Sequence, residues 1–156
     1  MDQSSSGLYY FTNLDQYYGF LEPYSLNKVA YAHSGDYVSK TDPGCIYSFA
    51  FKRKRSEITS NPLKSVEVNC YVYAEKSNPN CALVCVANIG DNPPLFFTSY
   101  PLKGVVTTPK QWQKISNVFA LDNTIPQDSY ISVFLMNQDS SAVYLDDLSV
   151  KFIEKK

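Results

Sequence analysis

Two neighbouring aspartates near the C-terminus, Asp146 and Asp147, interrupt an otherwise apolar run and are the first residues to which chemistry can be assigned. In a regular strand Asp146 shares a face with Leu148 and Val150, because side chains alternate between the two faces. A bare carboxylate buried there is costly, so it must be protonated, hydrogen-bonded or bound to a cation. A β-bulge at the two aspartates and a solvated pair are the alternatives, and the sequence leaves all of these open.

A second candidate site lies on the strand predicted for residues 63–75, where apolar and polar residues alternate. One face carries small and β-branched residues, and the other carries Glu67, Asn69, Tyr71 and Tyr73. Flat tyrosine rings can stack on the C–H faces of a sugar, while carboxylate and amide groups bond to its hydroxyls. These four residues are therefore the candidate ligand-binding residues. A solvated sheet face with cross-strand tyrosine pairs would have the same composition, so this alternative also stays open.

Residue types that catalyse reactions are present, but their spacing does not favour catalysis. Glu67 and Glu75 lie eight residues apart on one predicted strand. This separation is about 26 Å along a strand, which is too far for the paired carboxylates of a glycosidase. His33 is the sole histidine and adjoins a turn, a position more typical of a hydrogen-bonded loop residue than of a catalytic base. We predict no catalytic residue and no enzyme activity.

The four cysteines do not have the spacing of a zinc site, because Cys81 and Cys85 have no second pair and no nearby histidine. Cys70 and Cys85 lie on runs that we expect to pair, so a disulfide between them is one interpretation. Small buried hydrophobic residues are the other.

The composition favours one all-β domain. The 156 residues are 44% hydrophobic and 15% aromatic, which allows one well-buried core. The net charge of −1 implies no general attraction to nucleic acid or to anionic membranes. No apolar run is long enough to span a bilayer. We interpret residues 1–7 as a linker-like or disordered lead and residues 8–156 as a single domain.

These sites must be positioned by strands, because turn signals recur along the chain without a convincing helix. Strands are predicted at residues 8–12, 28–32, 37–40, 46–51, 63–75, 81–89, 95–100, 105–108 and 112–121. Residues 130–153 read as two strands joined by a polar loop, and we expect a hairpin there. The pattern predicts a two-sheet antiparallel β-sandwich of jelly-roll or Greek-key type.

Three motifs carry a resemblance to a known family. They are Ala32-His33-Ser34-Gly35, then Trp112-Gln113-Lys114-Ile115, then Val143-Tyr144-Leu145-Asp146-Asp147-Leu148. In this order the chain, over roughly residues 28–152, resembles the CenC-type carbohydrate-binding modules of the galactose-binding-like jelly-roll superfamily. The resemblance implies an accessory domain of a larger secreted or surface protein, and hence an extracytoplasmic location.

The resemblance also implies a structural calcium ion. Asp146 matches the motif aspartate, and Ser34 and Gly35 match the turn that contributes oxygens. The family's N-terminal Asn-x-x-Phe-Glu pattern is absent, and its distant substitutes here are Asn13 and Asp15. Asp15 completes the predicted metal ligands.

Two functions follow as expectations. The first is a non-catalytic carbohydrate-binding module whose partner is a glycan. The second is a structural or adhesive module that contacts protein or neighbouring domains without binding sugar. Exposure of Tyr71 and Tyr73 in a shallow groove favours the first, whereas a filled face favours the second.

Overall fold

The computed structural model describes residues 4–6, 8–14, 26–122 and 124–156. The strands within these ranges are β1 (Ser4–Ser6), β2 (Tyr9–Thr12), β3 (Leu26–Lys28), β4 (Tyr37–Thr41), β5 (Phe51–Lys54), β6 (Leu63–Ala74), β7 (Cys81–Asn88), β8 (Phe96–Pro101), β9 (Trp112–Ala120), β10 (Tyr130–Asn137) and β11 (Val143–Glu154). A one-turn helix, α1 (Arg55–Ile58), follows β5. Within these ranges, no helix has the length and hydropathy needed to cross a membrane.

The strands form two antiparallel sheets, as the sequence predicts. In the first sheet β6 lies between β9 and β11, and the far edge of β11 pairs with both β2 and β4. The outer strands β1 and β3 pair with β2 and β4. The second sheet has the order β5-β10-β7-β8.

The strand β11 organises the first sheet because three strands pair with it. Its first half, Val143 to Leu145, pairs with β4, and its second half, Leu148 to Lys151, pairs with β2. Its other edge pairs with β6 over almost its whole length. The change of neighbour from β4 to β2 occurs at Asp146 and Asp147.

The core lies between the two sheets and follows from the alternation of side chains. From β6 it takes the valine face that the sequence predicts, and Val66, Val68 and Val72 are all fully buried. The second sheet contributes side chains such as Leu83 and Ile131 from its inner face. The opposite face of β6, with its candidate ligand-binding residues, therefore lies on the outside of the sandwich.

The predicted hairpin at residues 130–153 is wrong. Both strands form, but β10 belongs to the second sheet and β11 to the first. The loop between them is an arch that crosses the sandwich, and buried Asn137 donates from Nδ2 to the carbonyl oxygens of Ser141, at 3.0 Å, and Thr41, at 3.4 Å. Each run has one apolar face, and packing the two faces against each other across the core buries both.

Other predictions are also corrected. Residues 46–50 form no strand, apart from an isolated bridge at Tyr47, and the basic run that follows instead forms the edge strand β5. Residues 29–32 and 105–108 are loops and turns. Cys70 and Cys85 lie on β6 and β7, which belong to different sheets, and all four thiols are free. Burial raises the pKa of the Cys70 thiol, so it acts as a small core residue.

We expect Leu145→Ala to destabilise the protein by about 2–5 kcal/mol, because it leaves a cavity beside the central strand. Leu145 is fully buried, whereas Val118 in the same sheet is 57% exposed. Urea denaturation measures the free energy of unfolding, and Val118→Ala is the matched control, with an expected change within about 0.5 kcal/mol. Equal losses in the two variants would contradict the placement of β11 in the core.

Candidate functional site

A β-bulge interrupts β11 at the two aspartates. Asp146 lies opposite Tyr71 and Ser149 lies opposite Asn69, so that two residues of β11 oppose one residue of β6. Asp147 takes the left-handed backbone conformation with φ +49°. The bulge changes the phase of the strand, so Asp146 does not share the core face with Leu148 and Val150 as a regular strand would require.

The Asp146 carboxylate is nevertheless fully buried, beneath the loop at residues 31–36. Its Oδ2 accepts a hydrogen bond from the backbone N–H of Ser34 at 3.0 Å, and its Oδ1 accepts one from the N–H of Asp147 at 2.8 Å. The backbone N–H of His33 is a further donor. Burial and, to a smaller extent, the nearby Asp147 carboxylate raise the pKa of Asp146, the backbone hydrogen bonds lower it, and the net result is a pKa of about 7.

Asp147 holds the same loop through side chains. Its Oδ2 lies 2.5 Å from Nδ1 of His33, and its Oδ1 accepts a hydrogen bond from the hydroxyl of Ser34. Both partners bond to one carboxylate, so the Ser34 hydroxyl does not donate to His33 as a nucleophile donates to its base in a catalytic triad. The two aspartates together attach residues 33 and 34 to the sheet.

The loop places aromatic rings over the predicted sugar platforms. The His33 ring stacks on Tyr71 with centroids 3.6 Å apart and an interplanar angle of 17°. Tyr31 stacks on Tyr73 at 5.3 Å, and the Trp112 indole N–H donates to the carbonyl of Tyr31 at 2.7 Å. Tyr71 and Tyr73 are therefore half-buried, and each has a partner ring against it.

A groove of about 550 Å³ opens beside this aromatic cluster on the outer face of the first sheet. It is lined by Tyr9, Phe11, His33, Ser34, Glu67, Asn69, Tyr71, Lys114, Asp147, Ser149 and Lys151. Strand register sets side chains in rows across the groove, so that Asn69 lies between Ser149 and Ser116. Asn69 accepts from the Ser116 hydroxyl at 2.5 Å and donates to Glu67 at 3.3 Å.

The structure thus brings three of the four predicted ligand-binding residues, Glu67, Asn69 and Tyr71, into one groove. Tyr73 lies outside its lining, in the cluster with Tyr31 and Trp112. Of the groove residues on β2, β9 and β11, the sequence pattern indicated Asp147 alone, because the positions of the others depend on strand pairing. The tyrosine-rich N-terminal third was the available signal that rings would cover part of the sheet.

The predicted calcium ligands are only partly brought together. Asp146 and Ser34 are in contact, but Ser34 presents its N–H to the carboxylate rather than an oxygen, and Asp15 lies outside the described residues. In the ranges that the structure describes, no group of three or more ligating acidic, histidine or cysteine residues occurs. The Asp146 oxygens accept N–H hydrogen bonds instead of facing other oxygen ligands, so the described residues alone do not form a calcium site. The calcium ion implied by the resemblance is untested, and these hydrogen bonds lead us to expect none at this position.

Comparison with known proteins identifies the fold. No family model matches the sequence, and no curated protein is significantly similar to it. Two solved domains of similar fold are the CBM22-1 and CBM22-2 xylan-binding domains of Xyn10C from Paenibacillus barcinonensis. The first is 14% identical with a TM-score of 0.54, covering 84% of this chain and 82% of its own. The second is 9% identical with a TM-score of 0.54, covering 95% of this chain and 100% of its own.

The fold is not confined to sugar-binding domains. The Stig cyclase Fisc from Fischerella sp. TAU, solved with an indole compound, is 10% identical with a TM-score of 0.51. It covers 95% of this chain and 86% of its own. At these identities the comparisons show the fold alone, and they confirm the predicted jelly-roll sandwich.

Because the pKa of Asp146 is about 7 in the folded protein and near its ordinary value of 3.8 when unfolded, the folded state binds more protons between these pH values. This group therefore makes the free energy of unfolding fall as pH rises from about 4 to about 7. Asp146→Asn cannot titrate, so we expect a smaller decline across this window. At pH 4 we expect a stability within about 1 kcal/mol of the unmodified protein, because the folded protein then carries a neutral carboxyl that the amide resembles. Urea denaturation at several pH values measures both effects.

The control for this experiment is Asp91→Asn, which removes a carboxyl from the exposed turn after β7. It should keep the decline seen in the unmodified protein. A pH dependence that is the same in the Asp146→Asn variant would show that Asp146 does not titrate in this window.

We expect neither a chelator nor added calcium to change the melting temperature, because the Asp146 oxygens already accept backbone hydrogen bonds. Differential scanning calorimetry with EDTA and with millimolar calcium makes the comparison, and magnesium controls for ionic strength. A rise in melting temperature specific to calcium would instead support the ligand set Asp146, Ser34, Gly35 and Asp15.

Proposed function

We propose that this chain is a non-catalytic glycan-binding module of the carbohydrate-binding-module type. The observation that carries the proposal is the groove on the outer face of the first sheet, where ring edges and hydrogen-bonding groups meet. Its volume of about 550 Å³ lies within the range of small-ligand sites.

The groove offers both kinds of contact that a sugar requires. Glu67 and Asn69 supply a carboxylate and an amide in its floor, and Ser149 adds a hydroxyl. The stacked pair of His33 and Tyr71 forms one end, where ring edges can contact the C–H groups of a sugar. Because strand pairing and the two aspartates hold these groups in place, little side-chain order has to be gained on binding.

The similarity of fold to xylan-binding domains is consistent with this function. The finer assignment rests on the three sequence motifs. On that basis we propose a CenC-type module that acts as an accessory domain of a secreted or surface protein, with a glycan and neighbouring domains as its partners.

One observation favours the second function, a structural or adhesive module. Tyr71 and Tyr73 are covered by His33 and Tyr31, so neither presents a free ring face of the kind a stacking platform needs. In this reading the aromatic cluster is a minor core that fixes the loop. The residues Glu67 and Asn69 distinguish the two functions, since only glycan binding requires them to contact a ligand.

We expect the full chain to bind at least one polysaccharide from a set of plant, microbial and host glycans that includes xylan. Asn69→Ala should weaken that binding about tenfold, because it removes hydrogen bonds to the sugar, and Glu67→Ala should do the same for neutral glycans. Affinity gel electrophoresis and titration calorimetry measure the effect. Asn92→Ala is the control, because Asn92 lies in the exposed turn after β7 and does not line the groove. No binding to any glycan, with folding intact, would favour the structural module.

A further inference from the structure

We infer that the groove selects glycans bearing negative charge, of which uronic-acid polysaccharides are the principal class; this inference rests on the proposed glycan-binding function. It starts from Lys114 on β9 and Lys151 on β11, which line the groove from opposite sides of β6. Both side chains are exposed. Neither lysine has an ion-pair partner among residues 4–6, 8–14, 26–122 and 124–156.

In the described part of the chain, the two acidic side chains that line the groove form no ion pair with these lysines. Asp147 already bonds to His33 and Ser34 through its two oxygens. Glu67 accepts a hydrogen bond from Asn69 at 3.3 Å. The two ammonium groups therefore remain available to a ligand, and a carboxylate that meets one forms a charge-assisted hydrogen bond, which is stronger than a neutral one.

Strand register places the two lysines at diagonal corners of the groove. Lys114 lies opposite Tyr71 and Lys151 lies opposite Glu67, so they are four positions apart along β6. That separation is about 13 Å at 3.3 Å per residue, with β6 between them. The neutral groups of Asn69 and Ser149 lie between the corners. An extended polysaccharide crossing the centre can therefore present a hydroxyl-rich middle to neutral groups and an acidic substituent to either end.

The two lysines should not contribute equally. Lys151 faces the Glu67 carboxylate across the strand pair, and that negative charge opposes an acidic ligand there. Lys114 instead faces the neutral phenol ring of Tyr71. We therefore assign the larger share of the selectivity to Lys114.

The net charge of −1 does not conflict with this inference, because it describes the whole chain rather than the groove. A weakly negative protein lacks the long-range attraction that drives binding to nucleic acids. Recognition of an acidic sugar in a groove requires only one or two local contacts.

The test compares polygalacturonate, glucuronoxylan and alginate with the carboxyl-reduced form of each, which keeps the backbone and removes the charge. We expect the full chain to bind at least one acid form about tenfold more tightly than its reduced form. That preference should weaken as salt rises, because salt screens exposed charges. Titration calorimetry gives the affinities, and a sulfated dextran distinguishes charge supplied by sulfate from charge supplied by carboxylate.

Substitutions of single lysines show which residue produces the preference for the acid form. Lys114→Ala should reduce affinity for the acid form about tenfold and leave affinity for the reduced form unchanged. Lys151→Ala should have a smaller effect in the same direction, and Lys114→Arg should retain binding. Lys103→Ala, at an exposed position outside the groove, is the matched control and should change nothing.

Equal affinity for the acid and reduced forms, or full binding by Lys114→Ala, would overturn the inference. If neutral glycans then bind and depend on Asn69, the proposed function stands without charge selection. If no glycan binds at all, the proposed function fails together with the inference.

Discussion

The site depends on one buried interaction, the acceptance of backbone N–H groups by the Asp146 carboxylate. The carboxylate has no exposure to solvent, and Ser34 and Asp147 donate to its two oxygens. A buried carboxylate is tolerated only when hydrogen bonds satisfy it, and here the Ser34 donor belongs to a loop distant in sequence. The interaction therefore fixes the loop on the sheet, and with it the His33 ring that forms one end of the groove.

The bulge at Asp146 and Asp147 also lies where the first sheet changes its strand pairing. At the bulge, β11 changes neighbour from β4 to β2, and neither neighbour continues past the other. A bulge leaves backbone groups without ladder partners, and the Asp146 side chain satisfies one of them by accepting from Asp147 N–H. The two aspartates thus form the bulge in β11 and also hold the loop that forms one end of the groove.

The sequence predicted what depends on local pattern and missed what depends on distant pairing. The alternation in β6 correctly separated its core face from the face that carries Glu67, Asn69 and Tyr71. The hairpin at residues 130–153 failed because one apolar face per strand is equally compatible with pairing side by side and with packing across a core. His33 over Tyr71 could not be predicted, since the two are brought together only by a loop held at Asp146. The alternation at residues 46–51 was similarly insufficient to make a strand.

The central place of β11 also bears on how the chain reaches its native state. The strand pairs with β2, which lies more than a hundred residues earlier, and with β4 and β6. Contacts so distant in sequence carry a large loop-closure entropy, and topologies dominated by them fold slowly, on the scale of milliseconds to seconds. During synthesis the earlier strands of the first sheet leave the ribosome without the partner that joins them. Until β11 emerges, their unpaired edges are open to other chains, which makes this interval the one in which chaperone protection matters most.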